Sequence, residues 1–170
     1  MTRLVVCPLS GLAAQMARHS PSHVVSLLSP SADLPSLPGV DHLRLTFHDI
    51  AEPRPDLVAP SAATVAELLA FTARWDHERP LLLHCYAGVS RSTAAAFILA
   101  CALRPDVDEA ALAGALRTLS PSATPNPMLI TLADEALGRQ GRMSAAIRAI
   151  GRGAEAFEGE CFAWDQDVPQ

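Results

Sequence analysis

Short runs of apolar residues, separated by polar or proline-rich segments, predict buried β-strands in the first half of the chain. The runs LVVCPL (4–9), HVVSLL (23–28) and PLLLHC (80–85) are rich in branched apolar residues. Such runs are typical of strands that are covered on both faces of a sheet. The segment DHLRLTF (41–47) instead alternates apolar and polar residues, which predicts a half-buried strand.

Apolar residues recur at helical spacing between and after these strands. Residues 10–19 are expected to form a short helix. Ser61 is a predicted N-cap, because a helical pattern that includes Val65, Leu68 and Trp75 begins just after it. The helices predicted to follow the last strand span residues 92–103, about 107–119, 127–138 and 142–150.

The order of these elements predicts an α/β fold. We expect a central, mainly parallel sheet of about four to five strands with helices on both faces. Residues 1–150 form a single domain in this interpretation, and residues 151–170, which show no clear periodicity, form a C-terminal tail. Ligands of such sheets bind at the carboxyl ends of the strands, where loops lead into helices. The segment HCYAGVSRS (84–92) lies at such a position.

Composition narrows the range of functions. A chain of 170 residues with 49% hydrophobic and 18% charged residues fits one globular domain. Its net charge of −5 argues against nucleic acid or an acidic membrane as a general partner. All 13 basic side chains are arginines, which excludes Schiff-base and lysine-base chemistry. Together with the heavy use of alanine, this indicates a GC-rich bacterial genome.

Four cysteines, Cys7, Cys85, Cys101 and Cys161, show neither a CxxC spacing nor a metal-ligand pattern with the six histidines. We therefore expect no metal, no cofactor and no disulfide framework, and a reducing cytoplasm is the expected location. Cys7 and Cys101 are predicted to be buried hydrophobes. The N-terminal stretch is interpreted as a first strand rather than a signal peptide, and the longest apolar run is too short to span a bilayer.

The segment HCYAGVSRS combines groups that suit an oxyanion. A loop between a strand and a helix N-terminus points several backbone N–H groups into one concavity, where the helix dipole adds positive charge. Gly88 allows a tight turn or a positive φ. Arg91 offers a planar fork that can hold two oxygens of a phosphate. A metal is not required, because this cradle already supplies positive charge.

Cys85 lies at the base of the same loop, where the field of the helix terminus favours a thiolate. It would then be placed to attack a bound phosphate ester and form a phosphocysteine. Ser92 is positioned in sequence to hydrogen-bond the sulfur and stabilise it as a leaving group. For His84 we predict a structural role in shaping the loop, without direct proton transfer.

These residues carry a family resemblance. HCYAGVSRS fits the HCxxGxxR signature of the cysteine-based protein tyrosine phosphatase superfamily, and resembles most closely the HCxAGxSRS loop of its dual-specificity group. The resemblance is densest over residues 41–103. It implies that Cys85 is the nucleophile, that Arg91 binds the phosphoryl group and that Ser92 assists breakdown of the intermediate. It also implies a phosphate-binding loop formed by Tyr86, Ala87, Gly88, Val89, Ser90 and Arg91.

The resemblance further implies an aspartate that protonates the leaving oxygen from an upstream loop. Asp49 follows the third strand, at the position where dual-specificity phosphatases carry this acid, and we favour it over Asp56. Asp56 is more simply explained by a turn in a proline-rich loop. His48 is an alternative proton source, although a solvent-facing loop histidine is the more common case. Asn126, in a segment that resembles the Pro-Asn segment of these phosphatases, is expected to be structural.

The sequence therefore predicts a phosphomonoester hydrolase that acts on phosphotyrosine proteins, with dual specificity left open. The loop contains no lysine, which disfavours phosphoinositide substrates. The competing interpretation is a catalytically silent module that binds phosphorylated partners, but such modules usually lack the cysteine or the arginine. Sulfur-transfer and arsenate-reducing enzymes use a cysteine in an anion loop but do not fit this pattern or its position. The sequence leaves the oligomeric state open.

Overall fold

A five-stranded sheet forms the centre of the molecule in the computed structural model, which describes residues 1–34 and 36–167. The strands lie side by side in the order β3-β2-β4-β1-β5. Their bounds are β1 Arg3–Pro8, β2 His23–Leu28, β3 Asp41–Thr46, β4 Leu81–Cys85 and β5 Phe162–Asp165. The α/β fold with a mainly parallel sheet, predicted from the sequence, is confirmed.

Strand β4 occupies the middle of the sheet and pairs in parallel with both β1 and β2. Every residue of β4 is buried, as the apolar run predicts. In the pairing with β1, Cys85 lies opposite Pro8. The carboxyl end of β4 is therefore held between β1 and β2, and the loop that follows leaves the sheet from its central strand.

Six helices surround the sheet: α1 Leu12–His19, α2 Ala62–Thr72, α3 Arg91–Leu103, α4 Glu109–Leu119, α5 Pro127–Ala136 and α6 Arg142–Ile150. The predicted N-cap at Ser61 is confirmed, because its hydroxyl accepts a hydrogen bond from the Thr64 amide and the Ser61 amide donates one to the Thr64 hydroxyl. Helix α4 begins later than predicted because Asp108 caps it. Helix α5 ends two residues earlier than predicted, before Gly138 turns at φ +63°.

The sheet separates two apolar layers, as expected for helices on both faces. One layer is large and contains alternate residues of the strands together with the apolar faces of α2 to α6. The other is small and is formed by the opposite strand residues with Leu12 of α1 and Leu34. No helix in the described part of the chain is long and apolar enough to cross a bilayer.

The prediction that residues 151–170 form a tail is wrong for residues 162–165. These form β5, which pairs antiparallel with β1 at the edge of the sheet. Phe162 and Trp164 face the core and are buried there, whereas Ala163 and Asp165 point the other way. Four residues are too few for a periodic signal to stand out in the sequence. Residues 168–170 of the predicted tail lie outside the described residues.

A buried ionic cluster joins α4 to α6 behind the sheet. The Glu109 carboxylate accepts hydrogen bonds from Arg139 at 3.0 Å and from Arg142 at 3.2 Å. Arg139 is itself buried and also donates to the carbonyl of Cys101. Burial alone would raise the pKa of Glu109, but hydrogen bonds from its own backbone amide, from Arg142 and from Arg139 hold it below the ordinary glutamate value.

Removing this charge is expected to destabilise the fold. Glu109→Gln leaves the buried Arg139 without an ionic partner and should lower the free energy of unfolding by about 3 kcal/mol at pH 7. Because the folded-state pKa lies below the unfolded one, this contribution is present above the unfolded pKa. It should be lost as the pH falls below about 4. Urea unfolding of both proteins at pH 7 and at pH 3.5 measures the difference.

The matched control is Glu135→Gln on α5, since Glu135 is exposed and has no ion pair within residues 1–34 and 36–167. Its effect should stay within about 0.5 kcal/mol at both pH values. Equal effects of the two substitutions, or a Glu109 effect that does not change with pH, would contradict the expectation.

Candidate active site

The candidate active site is the loop between β4 and α3. Strand β4 ends at Cys85, five loop residues follow, and α3 begins at Arg91, one residue earlier than predicted. The segment 84–92 thus occupies the strand-to-helix junction that the sequence predicts. Helix α3 is buried along almost its whole length, so its N-terminus is held firmly against the end of the strand.

The Cys85 sulfur lies at the bottom of this loop and is 2% exposed. The Ser92 hydroxyl lies 3.1 Å from the sulfur, and the Gly88 amide donates a hydrogen bond to it at 3.2 Å. Both groups can stabilise negative charge on the sulfur, because an N–H and an O–H each present a positive proton to it. Cys85, Gly88 and Ser92, which were predicted from the motif, are therefore in direct contact.

Gly88 makes the closest turn of the loop. Its φ is +70°, and a Cβ built on it would lie 2.7 Å from the backbone nitrogen of Pro8. Pro8 is the last residue of β1, directly opposite Cys85. A residue with a side chain would have to displace the end of this strand, so glycine is required here for both conformation and space.

Arg91 reaches from the first position of α3 back across the carboxyl ends of the strands. One terminal nitrogen donates to the carbonyl of Phe47 at 3.0 Å and to the Ser29 hydroxyl at 3.2 Å. Its Nε is buried and has no hydrogen-bond partner in the described part of the chain. A buried guanidinium N–H without a partner is costly. An oxyanion bound in the loop would accept a hydrogen bond from this Nε and remove that cost.

Asp49 is tied to the loop by two side chains. Its Oδ1 accepts hydrogen bonds from the Ser90 hydroxyl and from the Asn126 amide, both at 2.8 Å. Asn126 also donates to the carbonyl of Ile50 and caps α5 through Leu129 N. Oδ2 of Asp49 has no partner among the described residues, which leaves it available to hold a proton.

The other two possible acids are placed differently. Asp56 lies in an exposed turn with φ +65°, a conformation that aspartate tolerates better than most residues. His48 accepts a hydrogen bond from the amide of Val58 at 2.8 Å through Nδ1. That bond closes the loop 48–58 on itself. The structure thus brings Asp49, and not Asp56, to the loop between β4 and α3.

His84 is completely buried and belongs to a line of hydrogen bonds across three strands. Its Nε2 lies 2.6 Å from the Ser26 hydroxyl, which lies 2.8 Å from Nε2 of His42. A hydroxyl has one proton, so Ser26 can donate to only one of the two rings. Burial lowers the pKa of His84 to about 4, against a smaller opposite effect of the Cys85 backbone. His84 is therefore neutral at pH 7.

The loop carbonyls are held from outside by three distant segments. Leu9 N donates to the carbonyl of Tyr86, Gly159 N to that of Ala87, and Thr124 N to that of Val89, at 2.8 to 3.0 Å. A Cβ on Gly159 would clash with the carbonyl of Gly88. The residues 151–161 that precede β5 therefore pack against the loop.

Sequence reasoning missed Ser26, Ser29 and Gly159. A signal for Ser26 did exist, because it is the one hydroxyl inside the apolar run HVVSLL, and a polar group in a buried strand needs a hydrogen-bond partner. For Ser29 and Gly159 no comparable signal exists, since their contacts are made across long stretches of chain.

The other cysteines have no such surroundings. Burial raises the pKa of both Cys7 and Cys101 to about 12. Both side chains are fully buried in the apolar layers, as predicted, whereas Cys161 is exposed. Within residues 1–34 and 36–167, no group of three or more histidine, cysteine or acidic side chains is arranged to hold a metal ion.

Solved structures with a similar fold are phosphatases. DUSP15 superposes with a TM-score of 0.63 at 19% identity, covering 86% of this chain and 90% of its own. Human DUSP28 gives 0.61 at 23% identity, covering 81% and 89%, and the PTP-2 phosphatase of Cydia pomonella gives 0.61 at 20% identity, covering 78% and 84%. No protein-family model and no curated protein sequence matches the chain. The chain has the dual-specificity phosphatase fold that its loop predicts.

The close contact at Gly88 gives a prediction with a built-in control. Gly88→Ala combines a strained φ with a clash against β1, whereas Gly39→Ala has a similar strain at φ +81° and meets no described atom within 4 Å. We expect Gly39→Ala to cost about 1 kcal/mol of unfolding free energy and Gly88→Ala to cost clearly more. Gly88→Ala should also weaken the binding of inorganic phosphate, measured by calorimetry. Equal losses of unfolding free energy in the two variants would show that the contact with Pro8 adds nothing to the cost of the positive φ.

Proposed function

We propose that this protein is a phosphomonoester hydrolase of the cysteine-based protein tyrosine phosphatase superfamily that forms a phosphocysteine intermediate. The observation that carries the proposal is the surroundings of Cys85. Its sulfur lies between the Ser92 hydroxyl and the Gly88 amide, and the loop ends at Arg91, whose Nε has no partner among the described residues. A nucleophile beneath a cradle of donors is the arrangement that transfer of a phosphoryl group requires.

In the first step, the Cys85 thiolate attacks phosphorus while the bond to the leaving oxygen breaks. Arg91 and the loop amides hold the phosphoryl oxygens, where negative charge is concentrated. Asp49 donates its proton to the leaving oxygen, so that an alcohol or phenol departs rather than its anion. Ser90 and Asn126 both hydrogen-bond Oδ1 of Asp49. They leave Oδ2 to carry the proton that is transferred.

In the second step, water attacks phosphorus and the bond between sulfur and phosphorus breaks. Asp49, now a carboxylate, accepts a proton from this water. The sulfur leaves as a thiolate, which the Ser92 hydroxyl stabilises by donating a hydrogen bond across the 3.1 Å that separate them. Inorganic phosphate is released and the enzyme returns to its starting state. The proposed substrates are proteins that carry phosphotyrosine.

The nucleophile is tested with para-nitrophenyl phosphate in the presence of EDTA. Wild type should hydrolyse it without added metal, and Cys85→Ser should lose at least about 10³-fold in kcat, because serine is a far weaker nucleophile at neutral pH. Cys101→Ser is the control, since that thiol is buried on α3 away from the loop. A folded wild type that binds phosphopeptides without turnover would identify a binding module instead.

The acid is tested by comparing Asp49→Ala with Asp56→Ala. Activity that needs a protonated acid falls as the pH rises, so wild type should show a basic limb in its pH profile. Asp49→Ala should lose this limb and about 10²-fold in kcat. The loss should be larger for phenyl phosphate, whose leaving group needs the proton more than nitrophenolate does. Asp56→Ala should keep both the limb and the rate, and the reverse result would assign the acid to Asp56.

A further inference from the structure

A groove on the surface adjoins the phosphate loop. It is a cavity of about 340 Å³ between the segment 121–126, the start of α5 and the end of α6. We call it the arginine groove, and the side chains that define it are Thr124, Pro125, Pro127, Ile147, Arg148 and Arg152. A second cavity of about 410 Å³ shares Thr124 and Arg152 and extends the groove toward Phe157, which is 88% exposed.

The wall of the arginine groove is directly bonded to the candidate active site. Thr124 N donates to the carbonyl of Val89 at 2.9 Å, and Asn126 N donates to that of Ser90 at 3.2 Å. The Asn126 side chain holds Asp49. Because an extended peptide advances about 3.3 Å per residue, a few residues on one side of a phosphorylated residue suffice to reach this wall.

The arginine groove is built rigidly. Arg117 donates to the carbonyls of Pro121 and Ala123 at 2.7 and 2.8 Å, and to that of Gly151 at 2.7 Å. It thereby joins the segment before Asn126 to the end of α6. Thr124 adds a second link, because its hydroxyl accepts a hydrogen bond from Gly153 N at 3.0 Å. A preformed groove loses little conformational entropy when a ligand binds.

The charge of the arginine groove points to an acidic ligand. The guanidinium groups of Arg148 and Arg152 are exposed, and neither has a hydrogen bond or ion pair within residues 1–34 and 36–167. They lie together although the chain carries a net charge of −5. Pro125, Pro127 and Ile147 supply an apolar wall beside them. This combination suits a peptide with acidic and apolar side chains.

A membrane surface fits less well. Attachment to an anionic bilayer takes a cluster of several basic residues, each adding about 1 kcal/mol. The groove has two arginines, and Glu155 borders its extension. We therefore propose that the arginine groove binds an acidic segment that flanks the phosphorylated residue of a protein substrate. The inference rests on the proposed function and adds to it a basis for choosing among phosphoproteins.

The test uses two phosphotyrosine peptides that differ only in whether the flanking residues are acidic or their uncharged amides. Wild type should have a higher kcat/KM for the acidic peptide, and the preference should shrink as NaCl is raised. In the R148A/R152A variant the ratio of the two kcat/KM values should fall about fivefold to tenfold, mainly through KM. Arg18→Ala is the matched control, because Arg18 is also exposed and its side chain is unpaired among the described residues, but it lies on α1, across the sheet.

Binding of the same peptides to Cys85→Ser, measured by fluorescence anisotropy, separates this inference from the proposed function. If wild type does not turn over para-nitrophenyl phosphate, the proposed function fails, and the anisotropy still tests the groove. An acidic preference that R148A/R152A leaves unchanged would overturn the inference. An equal loss with Arg18→Ala would also overturn it. Binding to phosphatidylserine vesicles that depends on Arg148 and Arg152, without any preference between the two peptides, would overturn it as well.

Discussion

The close approach of Gly88 to the backbone of Pro8 is the contact on which the candidate site depends. Parallel pairing of β1 with β4 places Pro8 opposite Cys85, so the loop that leaves β4 must turn over the end of β1. Only a residue without a side chain fits between them with a φ of +70°. That turn also directs the Gly88 amide at the Cys85 sulfur, at 3.2 Å. Gly88 therefore links the pairing of β1 with β4 to the surroundings of the Cys85 sulfur.

The loop keeps its shape because its carbonyls are bonded outward. Segments that are far apart in the chain, around Leu9, Thr124 and Gly159, each supply at least one backbone N–H to a loop carbonyl. A buried carbonyl without a partner would be costly, so each contact stabilises the loop and the segment that covers it. This explains why residues 151–161, which have no helix or strand of their own, still follow a defined path.

Asn126 connects three features that the sequence shows separately. It caps α5, holds Asp49 beside Ser90, and follows directly on the segment that forms the wall of the arginine groove. A side-chain amide suits this position because it carries both an acceptor, used for the cap, and donors, used for the carboxylate. The segment 121–126 thus joins the proposed proton donor and the proposed peptide-binding surface in one rigid unit.

The amino-acid sequence alone determined strands β1 to β4, the helices and the position of the loop between β4 and α3. Helices and strands that bury one face repeat their apolar residues at a regular spacing, which can be seen in the sequence. The segment HCYAGVSRS places its candidate functional groups within nine consecutive residues. Tertiary structure decided what depends on distant residues. Asp49 is distinguished from Asp56 by Asn126, 77 positions along the chain. Strand β5 has only four residues and forms by pairing with β1, from the other end of the chain. Such contacts leave no local pattern, because their stability comes from a surface that exists only after folding.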